Sequence, residues 1–154
     1  MLGGSGNDQL YGQKGYNILD GRSGDDFIHS GRHSSTLMGG TGEDTLVADL
    51  SKGARHVLNG GEDADHFEFT GMTSSRLSIT RIEDFELGTD TFEIGGVDHM
   101  ALMADYLADT EAADITIVDR DFGAVIRLDT TDSIRFEGIS MDELLDHYDD
   151  VLLA

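Results

Sequence analysis

A nine-residue period runs through the first part of the chain and limits what it can fold into. Read from Gly3, the units are GGSGNDQLY, GQKGYNILD, GRSGDDFIH, SGRHSSTLM and GGTGEDTLV, then a twelve-residue unit, ADLSKGARHVLN, and then GGEDADHFE. Each unit places one large apolar residue in register: Leu10, Leu19, Ile28, Leu37, Leu46, Leu58 and Phe67. One buried side chain per unit cannot form a core alone, so neighbouring units must stack on each other.

Each unit predicts a turn followed by a short strand. Gly at the first, second and fourth places permits positive φ and a close approach of backbones. The residues around each Leu or Ile form the strand. Alternate units then lie on opposite edges of a flattened coil with about two repeats per turn. The pattern therefore predicts an all-β fold with minor α content, in which residues 1–69 form a parallel β-roll solenoid.

The charge of the chain restricts its partners. Ten Lys and Arg residues stand against 31 Asp and Glu, which gives a net charge of −21. This excess disfavours nucleic acid and anionic membrane surfaces and favours cations. The chain has no Cys, so disulfides and thiolate metal sites are excluded. We find neither a signal peptide nor a run of about 18 apolar residues, which predicts no membrane insertion.

Two units carry a specific resemblance. GGSGNDQLY and GGTGEDTLV match the pattern G-G-x-G-x-D-x-U-x, and the repeats at residues 3–69 resemble those of the calcium-binding RTX family. The segment ITRIEDFELGTDTFEI that follows resembles the region after the repeats in serralysin-type proteases and other type I-secreted proteins. The resemblance implies a calcium-binding module of a secreted, extracellular protein.

The spacing of stacked strands suits calcium. Neighbouring strands lie about 4.7 to 4.9 Å apart, and calcium–oxygen distances are about 2.3 to 2.6 Å, so the ion fits midway between two stacked turns. Turn carbonyls and the sixth-place Asp provide hard oxygen ligands, which calcium requires and which disfavour zinc.

The acidic residues fall on one edge of the predicted roll. Units starting at 3, 21, 39 and 60 share what we call the first edge, if the twelve-residue unit counts as one half-coil. Their sixth places are Asp8, Asp26, Asp44 and Asp65. The units starting at 12 and 30 share the opposite edge, which we call the second edge, and their sixth places are Asn17 and Ser35. Four stacked turns enclose three intervals, which predicts about three calcium ions. The candidate metal-site residues are Gly3, Ser5, Asp8, Gly21, Arg22, Ser23, Gly24, Asp26, Gly39, Gly40, Thr41, Gly42, Asp44, Gly60, Gly61, Asp63 and Asp65.

Two alternatives stay open for the acidic turns. The aspartates of the repeats can also shape turns without binding metal. In the third interval, Asp63 stands where the repeat expects Gly. Beyond the repeats, the resemblance implies an additional calcium near Asp84 and Asp90, although Thr80 stands where an acid is usual. We favour hairpin-shaping roles for Asp84 and Asp90.

Residues 70–154 are predicted to form a β-rich cap with one or two helices that covers the open end of the roll. Strand patterns occur in LSITRIEDF, DTFEI, DITIVDRD, GAVIRLD and DSIRFEG, and residues 98–108 have the pattern of a helix. The tail SMDELLDHYDDVLLA has a capping box, Ser140 with Glu143, and a helical apolar stripe. The residues of this stripe are Met141, Leu144, Leu145, Tyr148 and Leu152. Its end is similar to the uncleaved export signals of type I-secreted proteins, and a docked helix is a compatible alternative.

The predicted function is a calcium-dependent folding module that supports export by the type I secretion machinery. Because the repeats begin directly after Met1 and Leu2, we expect the C-terminal piece of a longer secreted protein. No nucleophile elbow, HExxH or paired-acid motif occurs, and His29 and His33 are expected to be solvated, so we predict no catalysis. The alternative is a carbohydrate-binding module of a polysaccharide-modifying enzyme. Its candidate cations for an extracellular polysaccharide are Lys14, Arg22, Arg32, Lys52 and Arg55.

Overall fold

The computed structural model describes residues 1–71, 77–95, 97–98, 115–120, 123–128 and 132–152. Within these residues the chain is mostly strand, and the strands form two sheets. The first sheet has the order β1-β3-β5-β7-β9-β14-β13-β12 and the second the order β11-β10-β8-β6-β4-β2. The strands are β1 Leu2–Ser5, β2 Gln9–Tyr11, β3 Asn17–Ser23, β4 Phe27–His29, β5 Ser35–Thr41, β6 Thr45–Asp49, β7 Arg55–Glu62, β8 His66–Thr70, β9 Ser78–Ile82, β10 Thr91–Ile94, β11 Val97–Asp98, β12 Ile115–Arg120, β13 Gly123–Leu128 and β14 Asp132–Phe136.

The repeats form the predicted parallel β-roll. Odd-numbered strands β1 to β9 pair in parallel in one sheet, and even-numbered strands β2 to β10 pair in parallel in the other. One inward ladder joins Leu10, Ile28, Leu46, Phe67 and Phe92 through consecutive strand pairs. The register therefore confirms both the nine-residue period and the assignment of alternate units to opposite faces.

The twelve-residue unit is accommodated at the second edge. Leu37 pairs with Leu58 on one sheet, and Leu46 pairs with Phe67 on the other, so neither ladder slips across the insertion. The three additional residues widen the connection between β6 and β7, where the N–H of Leu50 donates to the carbonyl of Thr70 at 2.8 Å. This unit is one half-coil, which was the condition for assigning Asp65 to the first edge.

Both sheets continue past the repeats. β14 pairs in parallel with β9, and β12, β13 and β14 extend that sheet as an antiparallel meander. The core changes from Leu and Ile in the roll to an aromatic cluster at its closed end. The ring centroid of Phe85 lies 5.8 Å from that of Phe67, 5.9 Å from that of Phe92 and 5.1 Å from that of Phe136. The division of the chain at residue 69 stays a prediction.

Helix α1, Met141–Leu152, follows the meander and packs against β13 and β12. Its capping box is formed as predicted: the N–H of Ser140 donates to Glu143 Oε2 at 2.8 Å, and the N–H of Glu143 donates to Ser140 Oγ at 3.2 Å. Leu144 is fully buried, and Met141 and Leu145 pack partly buried against the core. Among the described residues no helix has the length and apolar character needed to span a membrane. Residues 99–108 of the predicted cap helix lie outside the described residues.

Candidate metal site

The sixth-place aspartates of the first edge stack into a hydrogen-bonded row. The N–H of Asp8 donates to Oδ1 of Asp26 at 2.7 Å, and the N–H of Asp26 donates to Oδ1 of Asp44 at 2.7 Å. The N–H of Asp44 donates in turn to Oδ1 of Asp65 at 3.0 Å, across the longer third interval. Each of these carboxylates is therefore held against the backbone of the preceding turn.

A fifth aspartate extends this row beyond the repeats. The N–H of Asp65 donates to Oδ1 of Asp90 at 2.9 Å, and Asp90 Oδ2 accepts from the N–H of Glu86 at 2.8 Å. The nine-residue period did not predict Asp90 as a member of this row. The signal was present, because an aspartate precedes the buried apolar residue by two positions both in the repeats, as in Asp65 and Phe67, and in Asp90 and Phe92.

The first-place glycines provide the space in which these carboxylates lie. A Cβ added to Gly21 would lie 2.1 Å from Oδ2 of Asp26, and one added to Gly39 would lie 2.2 Å from Oδ2 of Asp44. Gly60 stands in the same relation to Asp65, with a distance of 2.0 Å. Real Cβ atoms cannot approach so closely, so glycine at the first place is a steric requirement of the row.

The carboxylates in the middle of the row are buried and incompletely satisfied. Asp26 is 3% exposed and Asp44 is 1% exposed. Oδ2 of each is buried without a hydrogen-bond partner among the described residues. A buried ionised carboxylate is costly unless it is paired with a cation or fully hydrogen-bonded. These two oxygens are suitable ligands for a cation, because no hydrogen-bond donor among the described residues satisfies them.

Burial also perturbs the titration of the row. It raises the pKa of Asp44 from 3.8 to about 6, against the lowering effect of the hydrogen bond from the N–H of Asp26. The pKa of Asp65 rises to about 7, mainly by burial and further by the negative charges of Asp90, Asp44 and Asp84. Burial raises the pKa of Asp90 as well. Without a cation, burial therefore favours the protonated forms of Asp44, Asp65 and Asp90 more than water does.

The remaining candidate residues lie in the same stacked turns. Third-place residues pair along the first edge, from Ser5 to Ser23 and from Ser23 to Thr41. The N–H groups of Gly6 and Gly24 donate to the carbonyls of Ser23 and Thr41, both at 2.8 Å. All seventeen candidates belong to first-edge turns: Gly3, Ser5 and Asp8; Gly21, Arg22, Ser23, Gly24 and Asp26; Gly39, Gly40, Thr41, Gly42 and Asp44; and Gly60, Gly61, Asp63 and Asp65.

Two of these positions hold non-glycine residues in left-handed backbone. Arg22 has φ +85° at the second place, where Gly40 and Gly61 have φ +126° and +114°. Asp63 has φ +81° at the fourth place, and its Oδ2 accepts from the N–H of Gly42 at 3.2 Å. In that interval a side-chain carboxylate takes the place that a backbone carbonyl has in the two earlier intervals. The third interval thus differs chemically from the first two.

Asp84 lies at the end of the first edge and closes the last repeat turn. Its Oδ1 accepts from the N–H of Gly60 at 3.0 Å, and its Oδ2 accepts from the N–H of Gly61 at 2.9 Å. Both oxygens therefore have backbone partners, in contrast to Oδ2 of Asp26 and Asp44. Thr80 is buried on β9 and pairs in register with His56 at the second edge, so it does not belong to this row.

The same place on the second edge has no carboxylate. Strand pairing aligns Asn17, Ser35, His56 and Thr80 in one row. Ser35 Oγ donates to the carbonyl of Ser30 at 3.0 Å, and Asn17 Nδ2 donates to the carbonyl of Gln13 at 2.9 Å. His56 is buried, and burial lowers its pKa. His56 Nδ1 and Thr80 Oγ1 are buried without a hydrogen-bond partner among the described residues. The second-edge row differs from the first in that it lacks the carboxylate charge that a calcium site requires.

The donor set of the first edge defines the cation class. No group of three or more His, Asp or Glu side chains gathers into a metal cluster anywhere in the described ranges, so backbone carbonyls of the turns have to complete each site. Carboxylate and carbonyl oxygens bind hard cations such as calcium. The fold and this edge together define a parallel β-roll with a candidate edge for binding a hard cation.

A family model agrees with this class over the first part of the chain. Residues 2–32 match the family model of the RTX calcium-binding nonapeptide repeat in four copies. Within these residues the chain therefore has repeats of the RTX calcium-binding type. The solution structure of the AlgE6R3 subunit from the Azotobacter vinelandii mannuronan C5-epimerase matches 92% of this chain and 78% of that chain, with 23% identity and a TM-score of 0.42. No curated protein matches the chain.

Proposed function

We propose that the roll is a calcium-dependent folding module, with about three ions in one row along the first edge, between successive aspartates from Asp8 to Asp65. The observation that carries this proposal is the pair of buried, unpartnered Oδ2 atoms of Asp26 and Asp44. A turn-shaping aspartate has its oxygens satisfied by backbone N–H groups, as in Asp84. Asp26 and Asp44 leave one oxygen each without such a partner, which supports a cation ligand.

The chain itself opposes folding of the roll when no cation is bound. Aspartates in adjacent turns lie about 5 Å apart and repel by roughly 1 to 3 kcal/mol per ionised pair at effective dielectrics of 80 to 20. The glycines add a large loss of backbone entropy on folding. Calcium bound between the turns supplies the positive charge that reverses this repulsion. A ligand that binds only the folded state stabilises it by RT ln(1 + [L]/Kd) for each independent site.

This linkage supports a role in export. Scarce cytosolic calcium keeps the roll loose during transport, and abundant external calcium folds it after release, so the proposed location is extracellular. We assign the type I export signal to the acidic and apolar end of the chain, which includes Asp149 and Asp150 and follows the part of α1 that buries Leu144. Removal of residues 149–154 is expected to abolish export by a type I channel and to leave calcium binding by the roll intact. Unchanged secretion of the truncated chain would restrict this segment to a docking role.

At the closed end of the row we assign a turn-capping role to Asp84. Its two oxygens already accept hydrogen bonds from the N–H groups of Gly60 and Gly61. The carboxylate of Asp90 is similarly engaged by the N–H groups of Asp65 and Glu86. These contacts support three principal sites in the repeats and a structural closure after them. The module is proposed to bind and fold, without catalysis.

Circular dichroism in chelator and in saturating calcium tests the folding proposal. We expect little β structure from residues 3–69 in chelator and a cooperative gain of β structure when calcium is added. Magnesium at the same concentration serves as the control, because it requires near-octahedral geometry and dehydrates reluctantly. Equal β content in chelator and in calcium would contradict the proposal.

A further inference from the structure

The second edge of the roll carries an open cleft of about 850 Å³ that the calcium row does not use. Three successive second-edge turns line it, at residues 12–14, 31–33 and 49–52. The N–H of Gly12 donates to the carbonyl of His29 at 2.7 Å, and the N–H of Ser30 donates to the carbonyl of Val47 at 2.9 Å. Backbone contacts between adjacent turns therefore hold the wall of this cleft.

The cleft concentrates positive charge in an acidic protein. Lys14, Arg32 and Lys52 line it, and the one carboxylate among its lining residues is Asp49. Arg32 Nε lies 3.9 Å from Asp49 Oδ2 and remains 71% exposed, whereas Lys14 and Lys52 have no ion pair within the described part of the chain. Charges beyond about 10 Å are largely screened at physiological salt, so this local excess acts on a ligand despite the net charge of −21.

The structure divides the basic residues that the sequence grouped together. Arg22 lies at the end of β3 on the first edge, with its Nε 4.0 Å from Asp20 Oδ2. Arg55 begins β7 near the second edge but does not line the cleft. The predicted solvated state of His29 is incomplete, because this half-buried ring accepts at Nδ1 from the N–H of Gly31 at 3.0 Å.

An aromatic ring completes one wall of the cleft. Tyr11 is 51% exposed, and its ring packs 5.8 Å from Phe27 and 6.2 Å from His29 between centroids. A side chain packed this way is a rigid surface that loses little entropy when a ligand covers it. Flat aromatic surface suits the C–H face of a sugar ring, and the neighbouring cations suit carboxylate or sulfate groups.

We propose that this cleft, lined by Tyr11, Lys14, Arg32 and Lys52, binds a segment of an anionic saccharide chain. The chain lies across the three stacked turns, with a ring on Tyr11 and its acidic groups beside the cations. Nucleic acid is disfavoured because three exposed cations supply few phosphate contacts against a net charge of −21. The two edges of one roll then have separate ligands, a cation at the first edge and an oligoanion at the second.

Calorimetric titration of the full chain in saturating calcium tests this site, with a short oligogalacturonate as the carboxylated probe and a sulfated oligosaccharide as the second arm. A neutral dextran oligosaccharide of similar length is the control ligand. We expect binding of at least one anionic probe and none of dextran, with the two anionic arms distinguishing carboxylate from sulfate. Equal binding of dextran, or tighter binding of single-stranded DNA of the same charge, would overturn the proposal.

Matched variants locate the binding in the cleft. Lys14→Gln with Lys52→Gln is expected to weaken binding about fivefold, from the modest contribution of each exposed charge. Arg120→Gln with Arg127→Gln removes the same charge from exposed sites on β12 and β13 and should leave affinity unchanged. Equal affinities of the two double variants would place the ligand elsewhere and contradict the assignment.

The aromatic wall and the calcium linkage are tested separately. Tyr11→Ala should weaken binding, whereas Tyr16→Ala, at a tyrosine that is 67% exposed and outside the cleft, should not. Equal effects of the two changes would remove the ring from the site. The inference rests on calcium-dependent folding of the roll, so circular dichroism is recorded on each sample. Folded protein without saccharide binding refutes the cleft alone, and protein that fails to fold in calcium refutes the proposed function.

Discussion

The two edges of the roll have similar stacked turns and opposite chemistry. At the sixth place the first edge carries aspartates, whose N–H groups and carboxylates link turn to turn. At the same place the second edge carries Asn17, Ser35 and then His56, which bond to nearby backbone carbonyls. Stacking alone therefore needs no carboxylate. We infer from this comparison that the aspartates of the first edge have a role beyond the stacking of turns.

Both edges require glycine where the backbones of adjacent turns approach closely, so glycine distinguishes the edges less clearly than the sixth-place residue does. A Cβ on Gly12 at the second edge would lie 2.0 Å from the carbonyl oxygen of Ser30, so close stacking demands glycine there as well. At the first edge the added Cβ meets the carboxylate in addition to the next backbone, as at Gly39. Glycine thus serves stacking at the second edge, and at the first edge it also leaves room for a charged group.

Removal of a central aspartate of the first edge should have the largest effect on calcium binding and calcium-induced folding. Asp26 accepts from the N–H of Asp8 and donates its own N–H to Asp44, so Asp26→Ala disrupts two intervals. We expect it to lose about two ions and to raise the calcium midpoint of folding about tenfold or more. Asp8→Ala should lose the terminal ion alone. The midpoint is measured by circular dichroism during a calcium titration.

Asn17→Ala is the matched change at the second edge. Asn17 Nδ2 donates to the carbonyls of Gln13 and Gly15, both at 2.9 Å, and loss of these bonds should cost about 1 kcal/mol. No ion should be lost. An Asn17→Ala protein that binds fewer ions, or an Asp26→Ala protein that binds as many as the parent, would show that the edges are not divided in this way.

Filling the space beside a first-edge carboxylate should have the next largest effect, on both stability and calcium affinity. In Gly39→Ala the new Cβ would lie 2.2 Å from Oδ2 of Asp44 and 2.4 Å from the carbonyl oxygen of Gly60, although Gly39 has no positive φ. Relief requires a shift of backbone, at a cost of about 1 to 3 kcal/mol. Urea unfolding in saturating calcium measures this cost.

Gly15→Ala at the second edge is the control for that substitution. Gly15 has φ +88° with nothing within 4 Å of an added Cβ, so strain of about 1 kcal/mol is the expected effect. Calcium affinity should fall in Gly39→Ala and remain unchanged in Gly15→Ala. Equal losses of calcium affinity would mean that the space Gly39 leaves for the Asp44 carboxylate has no role in calcium binding.

The pH dependence of the metal-free protein should reveal the burial of the row. Asp44 and Asp65 have folded pKa values raised to about 6 and about 7, above the ordinary value of 3.8. The folded state therefore binds more protons than the unfolded state, so their contribution to stability is fully present below about pH 4 and is lost as pH rises through about 7. In chelator, circular dichroism should therefore show a gain of β structure in the roll as the pH falls from about 7 to about 4.

The double variant Asp44→Asn with Asp65→Asn is the control for this pH effect. Asn has a similar shape but no titrating group, so the gain of β structure between about pH 7 and pH 4 should shrink markedly. A similar gain in the parent and in the variant would assign the pH dependence to carboxylates other than Asp44 and Asp65.

The smallest effect is expected at Arg22, the second-place residue whose left-handed backbone departs from the glycine pattern. Its φ of +85° strains a residue with a side chain, whereas Gly40 and Gly61 take similar angles freely. Arg22→Gly should stabilise the calcium-loaded roll by up to about 1 kcal/mol, since loss of strain exceeds the added entropy of glycine in the unfolded chain. Urea unfolding measures it, and destabilisation would assign a stabilising contact to the Arg22 side chain.

Sequence periodicity predicted the roll because one buried residue recurs in every unit, from Leu10 to Phe67. It predicted the first-edge row for the same reason, since the aspartate keeps a constant offset from that buried residue. Asp90 was not assigned to the row because one spacing changes after the repeats. In a repeat the sixth-place aspartate follows the first-place residue by five positions, but Asp90 follows Asp84 by six, which breaks the nine-residue period. The two-residue offset from the aspartate to the buried Phe92 is unchanged.

The second-edge cleft could be predicted only in part. The basic residues were visible in the sequence, but charge alone does not show which of them share a surface. Arg22 belongs to a unit that starts on the first edge, so its separation from Lys14 follows from the register. The exposed ring of Tyr11 depends on packing against Phe27 and His29 in the neighbouring strand, which a repeat pattern of single buried residues does not describe.

Calcium stoichiometry tests the central claim most directly. Isothermal titration of the parent chain is compared with a variant in which Asp8, Asp26, Asp44 and Asp65 are all changed to Asn, which preserves size and removes the charge of the row. We predict about three ions in the parent, one for each interval between aspartate turns, and none of these sites in the variant. A parent count near six, or undiminished binding by the variant, would place calcium at both edges or away from the row and contradict the account.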